Sequence, residues 1–293
     1  MQSFRSLIIC ICLLLGSFYC HLVLARRRRS PVAVAQLLPD SLSTYTSNKE
    51  SFVANSLPLH AFVSYIDIVI TVKTNIKFVR ACVQALLRHA PDPSVSPYLD
   101  QRIVFVDDGS PMDTIAYQHS LCDSHALFEA GMFFCTNTTG KEKGYTWAVQ
   151  KGIRHLTSIG HVESVSVVLL NSDTIVTDGW LTKLYTSLTK NPSTMIVGPL
   201  SNAATWQSVP HPQVTDNTIP LGLAVDHLAR AITTFATEEN IPDVPIYISN
   251  GFCFMVKREI RTHIGGFDTH NFGPGYGEEV CAVVCLSANI IYV

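Results

Sequence analysis

Three acidic groups in this chain are of a kind that could hold a metal ion, a phosphate or a proton in transit: Asp107-Asp108, Asp173 and Glu278-Glu279. Asn171-Ser172-Asp173 sets an amide oxygen and a carboxylate two residues apart, and both are ligands for a hard divalent cation such as Mn²⁺ or Mg²⁺. Glu278-Glu279 follows a stretch with glycine at 265, 266, 273, 275 and 277, a mobile approach for a carboxylate. Each group also has a plainer reading. Asn-Ser-Asp and Asp-Gly-Ser are common turns, and paired glutamates often open helices because they complement the dipole. Taken together they suit transfer from a nucleotide diphosphate donor. A cation neutralises the departing diphosphate. A separate carboxylate removes the proton from the attacking hydroxyl.

Such groups need elements that bring them together. The run from Val165 to Leu170 is continuously apolar apart from Ser166 and stops at Asn171. That pattern fits a strand buried on both faces, as in a parallel sheet. Its C-terminal end then opens on a crevice where ligands of open α/β sheets bind. Ile66–Val72, Arg102–Val106, Met132–Thr136, Met195–Gly198 and Phe252–Val256 read as further strands. Asn75–His89, Lys143–Leu156, the segment from Trp180 to Leu188, and Val225–Thr237 carry apolar residues at helical spacing. A short helix is expected after Val256. The alternation predicts a single three-layer α/β domain with a mostly parallel sheet, the strands before Asp107 and Asn171 lying side by side. No internal repeat is present.

Composition narrows the classes. Of 293 residues 47% are hydrophobic and 15% charged, so a large core can form and global disorder is excluded. The net charge is −2 and no basic stripe carries interleaved aromatics, which argues against a nucleic-acid partner. Leu7–Ala25 holds no formal charge and is long enough, at about 1.5 Å per residue, to span a bilayer as an anchor. A cleaved signal peptide ending near Val23-Leu24-Ala25 fits equally well. Four arginines at 26–29 would hold the following domain in the cytoplasm. The sequon Asn137-Thr138-Thr139 is usable only in the lumen of the secretory pathway. The expectation is a membrane-associated, lumenal protein of the Golgi or endoplasmic reticulum. The cytosolic membrane face and secretion are the alternatives. Residues 1–29 are then the hydrophobic segment with its basic flank, 30–64 a stem, and 65–293 the functional domain. Among nine cysteines, none with the CxxC spacing of a zinc site, Cys122 and Cys135 could pair in an oxidising lumen or simply be buried.

The motifs in order resemble a known family. Asp67-Ile68-Val69-Ile70, Val104 to Ser110, Gly144 to Val149, Leu169 to Thr174, Gly179-Trp180-Leu181, Gly198 to Ala203, Asn250 to Phe254, Gly266-Phe267-Asp268 and Gly275 to Val280 look like the segments of a family 2-type glycosyltransferase. That family has the type A, nucleotide-diphospho-sugar-binding fold. The resemblance implies a donor site at Thr71, Asp107, Asp108, Asn171 and Asp173, with Asp107 and Asp108 on the base and ribose. It implies that Asp173 binds Mn²⁺ or Mg²⁺ and the diphosphate. Glu279 matches the catalytic base, Glu278 orients the acceptor hydroxyl, and the sugar's anomeric centre inverts. Thr71 stands where the family's first strand ends in proline, and Cys281 where an acidic residue follows the base motif. The family continues through an Arg-bearing helix to a histidine, and Cys281–Val293 contains neither.

Three readings follow. The first is an inverting transferase moving a sugar from a nucleotide-diphospho-sugar to a glycan, lipid or protein acceptor. The second, favoured by the altered C-terminus, is an impaired or inactive nucleotide- or glycan-binding relative. The third is a nucleotidyltransferase, but Thr71-Val72-Lys73-Thr74 is a poor match to its phosphate loop.

Overall fold

A computed structural model describes residues 64–73, 75–91, 99–124, 133–137, 142–159, 164–213, 217–219, 224–246, 249–259, 266–272 and 291–292, all within one unit, Leu59–Val293. Leu7–Ala25, residues 30–63 of the stem, Glu278 and Glu279 lie outside the described residues. No helix among the described residues is long and apolar enough to cross a membrane.

Among the described residues seven strands form one sheet: β1 (Ser64–Val72), β2 (Leu99–Asp107), β3 (Phe133–Asn137), β4 (Ser166–Asn171), β5 (Thr194–Val197), β6 (Cys253–Lys257) and β7 (Ile291–Tyr292). Their order is β3-β2-β1-β4-β6-β5-β7. The pairs β1–β2, β1–β4, β2–β3 and β5–β7 are parallel, and β6 runs antiparallel to both β4 and β5. The expected mostly parallel sheet is present. The strands before Asp107 and Asn171 are not neighbours, however, because β1 lies between them.

Among the described residues five helices connect the strands: α1 (Ile76–Arg88), α2 (Met112–Cys122), α3 (Tyr145–Ile159), α4 (Trp180–Lys190) and α5 (Val225–Glu238). The strand period of two explains the apolar runs. Ile66, Ile68, Ile70 and Val72 of β1, with Ile103, Phe105, Val168 and Leu170, pack against α1, α2 and α4. Val69, Val104, Val106, Val167 and Leu169 point the other way, onto Ala148, Val149, Ile153 and Leu156 of α3. Strands covered on both faces carry no polar alternation. The third layer comes close because residue 152 is glycine. A Cβ there would stand 2.5 Å from Val69 Cγ1 and 2.8 Å from Val106 Cγ2.

At the sheet edge away from the strands' C-terminal ends, Arg102 donates to Asp67 Oδ1 from Nε at 2.8 Å and Nη2 at 2.7 Å. Ser164 Oγ donates to Asp67 Oδ2 at 2.7 Å. This buried carboxylate is satisfied and belongs to the frame, not to the crevice. Helix α5 packs outside the core and has no fully buried residue. Its Asp226 faces His89 Nε2 at 3.2 Å.

Candidate active site

Thr71, Asp107, Asp108, Asn171 and Asp173 gather at the C-terminal ends of β1, β2 and β4. In the pairing register Thr71 sits opposite Val106 on one side and Asn171 on the other, and Val72 sits opposite Asp107. The end of β1 therefore divides the two acidic groups.

Asp107 and Asp108 are buried, and both carboxylates already have work. Asp107 accepts the backbone N–H groups of Gly109 at 3.3 Å and Ser110 at 3.2 Å, closing the turn after β2. Gln118 Nε2 on α2 also points at it, at 3.5 Å. The two oxygens of Asp108 accept the N–H groups of Lys143 and Gly144, each at 2.8 Å. Those residues lead into α3, so Asp108 satisfies donors that the helix start leaves open and complements its dipole. Asp108 N–H and Ser110 Oγ donate to Val72 O, at 2.8 and 3.1 Å, tying the turn to β1. Across the mouth of the turn, exposed Lys73 and Glu142 form an ion pair, and Glu142 lies against Gly109.

Asp173 differs. It is exposed, and among the described residues its carboxylate has no hydrogen bond or ion pair. It rides on a turn that Thr174 N–H closes onto Asn171 O at 3.1 Å. The turn reading and the ligand reading of Asn171-Ser172-Asp173 are thus compatible. The turn rests on Cys82 of α1, whose Sγ is 3.9 Å from Asn171 O. Burial, and then the negative charge of Asp173, push the Cys82 thiol up to about 12. It is a structural thiol.

Among the described residues no three His, Cys, Asp or Glu side chains cluster as a ready-made metal cage. The donor set still fits a hard cation. A free carboxylate with an amide oxygen two residues away is the protein's usual share of a Mg²⁺ or Mn²⁺ shell, with water and substrate phosphates filling the rest. Asp173 and Asn171 would hold it.

The far wall of the crevice comes from the turn before β6. Asn171 N–H donates to Phe252 O at 2.8 Å, and Tyr145 Oη donates to Gly251 O at 3.0 Å. Asn250 N–H donates to Gln207 Oε1 at 2.6 Å. Sequence reasoning missed Gln118, Gln207 and Tyr145. Tyr145 and Gln207 reach Gly251 and Asn250 across long stretches of chain, and Gln118 reaches Asp107 from a helix without apolar periodicity, so local spacing holds no trace of these contacts. Glu278 and Glu279 lie outside the described residues, so the geometry speaks only for the donor half.

The profile described as Glycosyl transferase family 2 matches residues 67–265. No curated protein sequence matches the chain. Solved structures share the fold, and two of them illustrate it. One is the mannosyltransferase PcManGT from Pyrobaculum calidifontis in complex with GDP-Man and Mn²⁺, 14% identical, TM-score 0.51, with 78% of this chain and 53% of that one aligned. The other is S. aureus TarS 1-349, 9% identical, TM-score 0.50, with 78% and 58% aligned. The chain thus spans a little over half the length of these structures. The profile's span takes in Asp107, Asp108, Asn171 and Asp173, and it exceeds half the chain: the chain belongs to glycosyl transferase family 2.

Proposed function

We propose that this protein moves a sugar from a nucleotide-diphospho-sugar to an acceptor hydroxyl with inversion at the anomeric carbon. The observation that carries the reading is Asp173, an exposed carboxylate without a partner among the described residues, set at the crevice end of β4 beside Asn171. The PcManGT complex, with its GDP-Man and Mn²⁺, supports a donor and a divalent cation of this kind. The turn after β2 and the end of β1 cradle the nucleotide, with Asp107 and Asp108 holding that cradle in shape. Asp173 and Asn171 would hold a divalent cation, which would offset the diphosphate's charge. Glu279 takes the acceptor's proton while Glu278 orients the hydroxyl. The acceptor oxygen bonds to the anomeric carbon as the bond to the diphosphate breaks, and the nucleoside diphosphate leaves with the electron pair. The test is nucleotide release from a panel of nucleotide sugars, with and without Mn²⁺, in the parent and in Asp173→Ala. Mn²⁺-dependent release lost in Asp173→Ala is the expected result. Unchanged Mn²⁺-dependent nucleotide binding in that variant would make Asp173 a turn residue only.

We further propose that the domain works in the lumen of the secretory pathway. Cys122 at the end of α2 is disulfide-bonded to Cys135 on β3, with 6.0 Å between the Cα atoms. Such bonds persist in oxidising compartments. Two residues along the same strand, Asn137 of the sequon is exposed. The expressed protein should lose apparent mass on glycosidase treatment and yield a Cys122–Cys135 peptide pair without reductant. Protease accessibility from the cytosol with no mass shift would reverse the assignment.

A further inference from the structure

The segment following β5 is a closely tied loop. Ser201 N–H donates to Gln207 O at 3.0 Å, and Val209 N–H donates back to Ser201 O at 2.9 Å. Ala204 N–H donates to Ser208 Oγ at 2.8 Å. Gln207, buried, donates from Nε2 to Pro199 O at 2.8 Å and accepts Asn250 N–H. Asn217, also buried, bonds both Asn202 O and His211 O, at 3.2 and 3.1 Å. Ala204, Gln207 and Ser208 are all buried, yet Trp206 between them is 64% exposed. The residue before it, Thr205, has φ of 50°, an outlier for a β-branched side chain. A strained backbone persists only where its surroundings over-determine it, and it concentrates at ligand clamps. The loop is thus a rigid mount that holds an indole out of the core.

Its place in the sheet says which ligand comes there. Strands β4 and β5 run the same way, each antiparallel to β6, so the loop after β5 and the turn before β6 open on the crevice edge. Along that edge come Asp107 and Asp108 at the end of β2, then Asp173 after β4, then the Asn250–Phe252 turn, then the loop bearing Trp206. The nucleotide cradle and the tryptophan therefore lie on opposite sides of Asp173. What reaches Trp206 comes to the crevice from across Asp173, on the side away from the nucleotide cradle.

We infer that Trp206 is the stacking platform for a saccharide acceptor, an inference that rests on the transferase reading above. A pyranose presents an apolar face of C–H groups with hydroxyls at its rim. A rigid, flat indole matches that face at low entropic cost and leaves the hydroxyls to the polar loop around it. Trp206 is a positioning residue: it touches the acceptor away from the reacting hydroxyl and sets which hydroxyl is presented.

The experiment needs no turnover in its first arm. Of the three tryptophans, Trp180 is buried and Trp147 half-buried, so acrylamide quenching reports mainly on Trp206. Di- to tetrasaccharides of the glucose, mannose, galactose and N-acetylglucosamine series are titrated into the protein. One series shields the indole, Trp206→Ala abolishes the shielding, and Trp206→Tyr keeps a saccharide affinity near that of the parent. In transfer assays Trp206→Ala raises the KM for that saccharide about tenfold, the scale of a single stacking contact, with little change in kcat. Nucleoside diphosphate affinity stays at the parental value. Shielding by none of the four series, shielding by nucleoside diphosphate alone, or an unchanged saccharide KM in Trp206→Ala overturns the inference. Nucleotide release that then proceeds with a lipid or peptide acceptor would overturn it while leaving the transferase reading intact. Shielding without any nucleotide release would leave a sugar-binding surface and sink both the acceptor role and the transferase reading.

Discussion

Replacing Asp108 by alanine separates a structural role from a binding one. Each Asp108 oxygen accepts one N–H at 2.8 Å, from Lys143 and from buried Gly144. The partner groups lie at the start of α3, where no intrahelical acceptor exists. Loss of an N-terminal cap typically costs about 0.5–2 kcal/mol, and a hydrogen bond to a charged group contributes about 1.5–3 kcal/mol. One buried N–H is left unsatisfied and one can turn to water, so Asp108→Ala should lose about 2–4 kcal/mol of stability. That is a large share of the roughly 5–15 kcal/mol that holds a domain together. Asp108→Asn keeps one acceptor oxygen and should fall between. The assay is urea unfolding followed by circular dichroism, with m compared to ensure that the unfolded states match. Asp173→Ala, which removes an exposed carboxylate with no partner among the described residues, is the control and should stay within about 0.5 kcal/mol of the parent. If Asp108→Ala also unfolds within about 0.5 kcal/mol of the parent while nucleotide binding is lost, the capping argument is wrong and Asp108 is a ligand residue.

Two other outcomes are expected. Gly152→Ala pushes a methyl against Val69 and Val106 where two strands and α3 meet, and should destabilise the fold by about 1–3 kcal/mol in the same unfolding assay. Cys82 and Cys253 are buried thiols whose ionisation is suppressed chiefly by burial. Peptide mapping after brief alkylation at pH 8 should find both unmodified in native protein and both labelled in urea, and rapid native labelling of either would refute the burial.

The sheet was legible where its residues leave one choice. Runs such as Ile66–Val72 and Val165–Leu170 admit little besides doubly covered strands, and the crevice residues follow from where those runs stop. Helix α2 was not anticipated because the side it buries is written in polar residues, Thr114 and Gln118, with Tyr117 and Leu121 only partly covered. Apolar periodicity is silent on such a helix. The β6 strand was read as a strand, but five apolar-rich residues encode neither direction nor neighbours, so its antiparallel insertion could not be foreseen. The motif Asp107-Asp108 was visible at once. That Asp108 serves a helix start 35 residues later was not, since hydrogen-bond partners distant in the chain leave no local signal.

The place of β6 also bears on how the protein is made. Residues 253–257 emerge from the ribosome well after β1 to β5, yet they pair with both β4 and β5. Until they arrive, β4 presents an unpaired edge of Val167 to Leu170, the kind of apolar template on which nascent chains aggregate. The nascent domain must keep a slot one strand wide open or shielded by a chaperone through the synthesis of α4, the Trp206 loop and α5. Any message cut short before codon 253 would release a chain whose central edge stays permanently available to another copy of itself.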